Sequence, residues 1–161
     1  MKNKSLLDRY LLLKPFARVY IEWPILIGVG VAGTIFSLST ILFYPATNIF
    51  GFTLLIIGFI IHGLSHKVHR QVHEQAERIE KIVTTGIYSR IRHPCYLGLI
   101  LTFFGFAFAW GIVWIFIPVV ILSILYYLTA IKEEGYLKEN LGKEYEEYMR
   151  QVSRRFIPKV F

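Results

Sequence analysis

Two long stretches without a charged side chain constrain what this chain can fold into. Neither residues 23–66 nor residues 94–131 contain Asp, Glu, Lys or Arg. A helix that crosses a bilayer needs about 20 apolar residues, so each run is long enough for two spans. Breaks are expected at residues 44–48 and 110–111. The pattern predicts an all-α integral membrane protein, one domain over residues 1–161, with four transmembrane helices as two hairpins: about 24–43, 49–65, 95–110 and 112–131.

The basic residues indicate an orientation in the membrane. All 18 Lys and Arg lie before residue 23, between 67 and 92, or from 132 onward. The positive-inside rule then places both termini and the central loop on the cytoplasmic side. The net charge of +7 is explained by topology and by attraction to anionic membrane lipid, so we do not expect nucleic acid as a partner. Residues 1–22 are predicted to lie in the headgroup layer, being too charged to span, and the C-terminal residues to form cytoplasmic amphipathic helices.

Four histidines, His62, His66, His69 and His73, share one arc of the predicted second helix. Histidines four residues apart are a known zinc geometry. No Cys or Asp is near them in the sequence to complete a ligand set, so we predict no metal site. His73 is the histidine nearest to the cationic segment that follows, and it is a candidate for contact with a bound ligand.

A polar and aromatic segment, residues 83–98, runs directly into the third predicted span. Gly86 is a predicted helix stop, and Pro94 is predicted to start the next helix because the first turn tolerates a missing N–H. Arg92 supplies a planar guanidinium with five donors, and His93 can donate or accept a proton. Chemistry at this segment would lie at the membrane edge.

Two adjacent carboxylates, Glu133 and Glu134, follow the fourth predicted span. Mutual repulsion, desolvation and the negative end of the helix dipole all disfavour such a pair, so a cationic partner is expected. The alternative is a solvated pair beyond the lipid edge, balanced by nearby lysines. A tight hairpin returns both helices to the same face, which brings the carboxylates close to Arg92 and His93. Such a pocket suits a zwitterionic soluble cofactor that meets a lipidic substrate.

These motifs, in this order and spacing, carry a resemblance to a known family. They are residues 83–88 (VTTGIY), residues 92–98 (RHPCYLG), the pair at 133–134, then Leu137, Gly142, Tyr145, Tyr148 and residues 156–158 (FIP). In these residues the chain resembles the isoprenylcysteine carboxyl methyltransferase family and its phospholipid methyltransferase relatives.

The resemblance implies a methyltransferase that uses S-adenosylmethionine to methylate a lipidic or prenylated acceptor, of the isoprenylcysteine carboxylate type, at the cytoplasmic membrane face. It implies Arg92 and Glu134 as catalytic residues, with Arg92 holding an anionic group of the acceptor. The cofactor-binding residues that it implies, together with His73 from the arc, are Lys81, Ile82, Val83, Tyr88, His93, Pro94, Cys95, Tyr96 and Glu133.

One departure leaves the acceptor open. In the prenylcysteine branch an arginine lies about one turn before the acidic pair, whereas this chain has Thr129 and Ala130 there. A phospholipid N-methyltransferase is therefore the first alternative. Further alternatives are an NADPH-dependent membrane reductase and a non-catalytic membrane scaffold. A comparison of S-adenosylmethionine binding with NADPH binding distinguishes the methyltransferase from the reductase.

Overall fold

Helices make up most of the chain. A computed structural model describes residues 5–13, 15–68 and 82–156. Within these ranges the only β-type pairing is a single bridge between Thr40 and Ile112, which confirms the predicted all-α class. The described α-helices are α1 (Leu6–Leu11), α2 (Pro15–Ile35), α3 (Tyr44–Val68), α4 (Pro94–Trp110), α5 (Phe116–Leu141) and α6 (Lys143–Gln151), with short 3-10 helices at Gly86–Ser89 and Val113–Ile115.

The first hairpin differs from its prediction at both helices. The helix predicted over 24–43 is α2, which begins at Pro15 and ends at Ile35. The next begins at Tyr44 instead of residue 49, because Pro45 lies in the first helical turn, where its missing N–H is tolerated. The expectation that residues 1–22 lie in the headgroup layer is wrong for residues 17–22, which belong to the span-length apolar segment Ala17–Ile35. Arg18 and Glu22 are tolerated in that helix because they form a salt bridge with each other and both side chains are buried.

Among the residues that the structure describes, three helices are long and apolar enough to cross a membrane. These segments are Ala17–Ile35, Pro45–Val68 and Val113–Leu141. The third predicted span is α4, a shorter apolar helix of 17 residues. Large apolar side chains on the outer surfaces of α3 and α5 are exposed, as expected for helices that face lipid. They include Ile49, Ile56, Ile60, Ile117, Ile121 and Ile124.

Glycines bring α3 and α4 into close antiparallel contact. A Cβ atom on Gly98 would lie 2.7 Å from the backbone nitrogen of His62, and one on Gly105 would lie 2.6 Å from that of Leu55. Neither position has room for a larger residue, which is the usual role of small residues between membrane helices. This contact fixes the start of α4 beside the C-terminal half of α3.

The two hairpin turns meet at one end of the bundle. The amide of Ile41 donates to the carbonyl of Gly111 at 2.8 Å, and the amide of Val113 donates to the carbonyl of Ser39 at 3.0 Å. Gly111 has a φ of 83° and caps α4, which confirms the predicted break there. The start of α4 and the C-terminal part of α5 therefore lie together at the opposite end, where the sequence motifs are.

Candidate active site

The start of α4 is held against the C-terminal tail by backbone pairing. The amide of Arg92 donates to the carbonyl of Arg154 at 2.9 Å, and the amide of His93 donates to the carbonyl of Arg155 at 3.0 Å. His93 is the N-cap residue of α4, and Pro94 occupies the first turn as predicted. The tail after α6 thus lies alongside Arg92 and His93 and places its own side chains in the same site.

Glu134 is the centre of this site. Its Oε1 accepts a 3.0 Å hydrogen bond from Nε of Arg92 and lies 3.1 Å from Nε2 of His93. Arg155 donates to both carboxylate oxygens, from Nε at 3.0 Å and from Nη2 at 2.8 Å. Only 4% of Glu134 is exposed, so the alternative of a solvated carboxylate fails for this residue. The cationic partners that a buried carboxylate requires are present.

Arg92 also anchors the tail. Its Nη1 donates to the carbonyl of Val152 at 2.7 Å, in addition to its bond with Glu134. Two of its donor groups are therefore used inside the protein, and the residue is buried. In this structure Arg92 connects α5 to the tail, a connection that no local sequence pattern indicated.

Glu133 differs from its neighbour because one of its oxygens is buried without a partner. Among the described residues, Oε2 of Glu133 has no hydrogen-bond donor. The nearest cationic candidate is Nδ1 of His93, at 3.6 Å, which is beyond hydrogen-bond distance. A buried carboxylate oxygen without a donor is costly, so this atom is suited to a cationic ligand group.

Aromatic rings connect the site with the interior of the bundle. The rings of His93 and Tyr96 are parallel, with centroids 5.6 Å apart. The ring of Tyr96 lies 5.4 Å from that of Tyr126 on α5. Tyr96 is thus the bridge between the acidic pair and a second polar cluster that lies deeper in the bundle.

This second cluster was missed by the sequence analysis. Glu22 accepts hydrogen bonds from Arg18 at 3.0 Å, from Tyr10 at 2.6 Å and from Tyr126 at 2.7 Å. The Arg18 guanidinium lies 4.0 Å from the centroid of the Tyr126 ring, a cation–π contact. The spacing of four residues between Arg18 and Glu22 was the available signal, since such residues share one helix face. The cluster joins α1, α2 and α5.

Tyr88 and Ile82 lie in the layer next to α6. The Tyr148 hydroxyl donates to the Tyr88 carbonyl at 2.8 Å, and Ile82 packs on a cluster that includes Tyr145. Burial raises the pKa of the Tyr88 hydroxyl well above its ordinary value, so this group stays protonated. Val83 is half-buried. His73 and Lys81 lie outside the described residues.

Cys95 faces α3, where it forms a group with His62 and His66. One ligand atom from each residue lies within 4.8 Å of the others. Cys95 is distant from these histidines in the sequence but close to them in the structure, so the expectation that no cysteine is near them is wrong. However, His62 faces His66 through Nε2, at 2.9 Å, and Cys95 through Nδ1, at 3.5 Å. In the structure these two contacts link Cys95, His62 and His66 in a hydrogen-bonded chain. His69 lies outside the described residues.

Comparisons with known proteins match the part of the chain that carries the acidic pair. A family model described as phospholipid methyltransferase matches residues 46–144. Protein-S-isoprenylcysteine O-methyltransferase B of Arabidopsis thaliana is 29% identical over 143 residues, a match that covers 71% of this chain and 64% of that protein. This chain therefore spans less than two thirds of the length of that relative. The family match includes Arg92 and Glu134, begins after Arg18 and ends before Arg155.

Proposed function

Because the chain belongs to the phospholipid methyltransferase family, we propose that it transfers the methyl group of S-adenosylmethionine to a lipidic or prenylated acceptor of the isoprenylcysteine carboxylate type. The observation that carries the proposal is the buried, unpartnered oxygen of Glu133 beside His93. This oxygen provides a negative charge for a cationic ligand group at the place where residues 83–98 meet α5.

The residues present fit this cofactor. Glu133 would hold a cationic group of the cofactor, its ammonium or its sulfonium, because charge-assisted hydrogen bonds and ion contacts are strong in a buried site. His93 is held between the two carboxylates, with Nε2 at Glu134 and Nδ1 toward Glu133. Tyr96 stacks on His93 and limits the rotation of its ring. Lys81, Ile82, Val83, Tyr88, Pro94, Cys95 and His73 remain proposed cofactor-site residues.

The transfer is an in-line displacement in which charge is conserved. S-adenosylmethionine supplies a methyl group activated by its sulfonium: a bond forms between an acceptor oxygen and the methyl carbon, the carbon–sulfur bond breaks, and its electron pair stays on sulfur as a neutral thioether. With a carboxylate acceptor no proton has to leave. The contribution of the protein is alignment and exclusion of water. Arg92 and Glu134, buried and bonded to each other, give the site the rigidity that alignment requires.

The site is proposed to open at the cytoplasmic face. Three span-length helices and the 17-residue α4 support four crossings, and both hairpin turns lie at the end away from Glu134. The basic residues flank the site end of the bundle, so the positive-inside rule assigns that end to the cytoplasm. A soluble cofactor then enters from the aqueous side, and the acceptor enters from the bilayer.

A phospholipid N-methyltransferase is the second candidate, and the description of the matching family favours it. In that case the nucleophile is an amine, which must lose a proton. Glu134 is poorly placed to accept it while two guanidiniums are bonded to it. The carboxylate acceptor therefore fits the described contacts better.

Equilibrium binding to the full-length protein in detergent tests the proposal. We expect S-adenosylmethionine to bind with one site per chain and NADPH not to compete. Methyl incorporation is then measured with an S-prenylcysteine and with phosphatidylethanolamine. Absence of S-adenosylmethionine binding by folded protein would reject the proposed function, and preferential methylation of phosphatidylethanolamine would select the second candidate.

A further inference from the structure

Arg155 is the guanidinium of the site that a ligand can reach. Its side chain is 22% exposed, whereas the side chains of Arg92 and Glu134 are 6% and 5% exposed. Its Nη1 donates to the hydroxyl of Tyr127 at 3.2 Å, and its guanidinium lies 5.4 Å from the centroid of that ring. Arg155 therefore lies at the edge of the site, between the buried carboxylate and the outer surface of α5.

The outer surface beside Arg155 is apolar and open. Tyr127 is exposed, and its neighbours on the same side of α5 are large exposed aliphatic residues. Residues three and four apart on a helix form one continuous strip, so these side chains make an apolar track that leads to Arg155. The track is Ile124, Tyr127, Leu128 and Ile131. A hydrocarbon chain lying on it would bring its polar headgroup to the guanidinium.

The charges of the site leave a place for one anion. Among the described side chains of the site, Arg92 and Arg155 balance Glu133 and Glu134. On the proposed function, the bound cofactor adds an ammonium, a sulfonium and one carboxylate, so the loaded site has at least one positive charge in excess. Such an excess in a poorly solvated site favours an anionic ligand group. Arg92 is buried and tied to Val152, so Arg155 is the group free to turn toward that anion.

We propose that Arg155 is a specificity-determining residue that exchanges its bond with Glu134 for an anionic oxygen on the headgroup of the lipidic acceptor. The forked donor pair that now holds both oxygens of Glu134 matches a carboxylate or a phosphate equally well. After the exchange, Glu134 keeps its contacts with Arg92 and His93. Arg155 then binds the anionic group of the acceptor in place of Glu134. This inference rests on the proposed function and adds the residue that selects the acceptor.

The test compares binding of two probes that differ in one charge. An S-prenylcysteine with a free carboxylate and its methyl ester are titrated into wild-type protein, Arg155→Gln and Arg155→Lys, in the presence of an analogue of S-adenosylmethionine that keeps its charges but cannot transfer a methyl group. We expect wild type to bind the carboxylate at least tenfold more tightly than the ester. Arg155→Gln should abolish that preference, and Arg155→Lys should keep part of it, because lysine keeps the charge without the fork. The affinity for the cofactor is measured in the same variants, and a loss of cofactor affinity as large as the loss of preference would assign Arg155 to the carboxylate of the cofactor and overturn the inference.

Arg150→Gln is the matched control, since Arg150 pairs with Glu147 on the exposed face of α6 and is expected to change nothing. A comparison of phosphatidylethanolamine with a long-chain amine that lacks the phosphate repeats the test for a phosphate. If Arg155→Gln loses only the preference for the probe with a phosphate, the anion that Arg155 binds is the phosphate of a phospholipid. A preference that survives in Arg155→Gln for both pairs would overturn the inference. Failure of the wild type to bind S-adenosylmethionine would instead reject the proposed function.

Discussion

The guanidinium of Arg18 donates a 2.8 Å hydrogen bond to the hydroxyl of Thr129. The bond crosses from α2 to α5 and ends one helical turn before Glu133. It therefore ties the N-terminal part of the chain to the helix that carries the acidic pair. Asp8 on α1 pairs with Lys132 at the same level of α5, so α1 and α2 both contact α5 just before the site.

Breaking the Arg18–Glu22 pair is expected to destabilise the protein strongly. Both side chains are buried, and removing one leaves the other charge without its partner, which costs about 3–5 kcal/mol. Arg18→Met and Glu22→Gln are measured by unfolding in detergent, beside the exposed-pair control Arg150→Met. The double variant Arg18→Met/Glu22→Gln should be less destabilised than the sum of its two single changes. Single variants that unfold like the control would contradict a structural role for this pair.

The sequence predicted α4 well because its signals are local, whereas the helix predicted over 112–131 is α5, which begins at Phe116 and continues to Leu141. The uncharged run, Gly111 as a break and Pro94 as a start place α4 within one residue of its prediction. Closure of the second hairpin also predicted the contact of Arg92 and His93 with the acidic pair, since two antiparallel helices must return to one end. This contact could be predicted from the direction of the chain and the lengths of the two helices alone.

The first hairpin and the tail were harder to predict because their determinants are tertiary. Residues 1–22 were predicted to lie in the headgroup layer because they contain many charged side chains. Arg18 and Glu22 have opposite charges on one helix face, so they neutralise each other and can be buried as a pair. Arg155 lies in a segment with no regular secondary structure, held by backbone bonds to residues over 60 positions earlier. No local pattern encodes such a pairing.

Glu133→Gln and His93→Ala are each expected to weaken S-adenosylmethionine binding at least tenfold, about 1.4 kcal/mol. Glu133→Gln removes the negative charge of the unpartnered buried oxygen, and His93→Ala removes the group that lies between the two carboxylates. Calorimetry on folded variants gives the affinities, with Glu147→Gln on exposed α6 as the control. Affinities equal to wild type in both variants would place the cofactor elsewhere.

Tyr10 is expected to ionise at unusually high pH. Burial, followed by its hydrogen bond to Glu22, raises the pKa of Tyr10 to about 12. Because the unfolded value is lower, about 10, the folded state holds this proton more tightly. The resulting stability is fully present below about pH 10 and is lost as the pH rises toward 12. The difference in phenolate absorbance between wild type and Tyr10→Phe measures the titration, and a midpoint near 10 would show that Tyr10 is solvated.

Arg92→Lys is expected to loosen the tail while cofactor affinity is kept. Lysine retains the charge beside Glu134 but cannot bond to Glu134 and to the Val152 carbonyl in the same forked geometry. Misalignment should then lower turnover more than binding. Hydrogen exchange at residues 152–156 reports on the tail directly, with Arg150→Lys as the control. A loss of cofactor affinity in proportion to activity would assign Arg92 to the carboxylate of the cofactor.

The orientation of the bundle is expected to place the site and both termini in the cytoplasm, with both hairpin turns on the other side. The reason is that Lys and Arg lie at the site end, whereas the turns near residues 40 and 111 have none. In a Cys95→Ser background, single cysteines at Ala46 and Ser153 are labelled with a membrane-impermeant reagent in inside-out and right-side-out vesicles. Position 153 should react only from the cytoplasmic side and position 46 only from the opposite side. Ser153 precedes the residue whose carbonyl pairs with Arg92, so its labelling also locates the active site. Labelling of both positions from one side would contradict an odd number of crossings between them, three in the assignment of four spans.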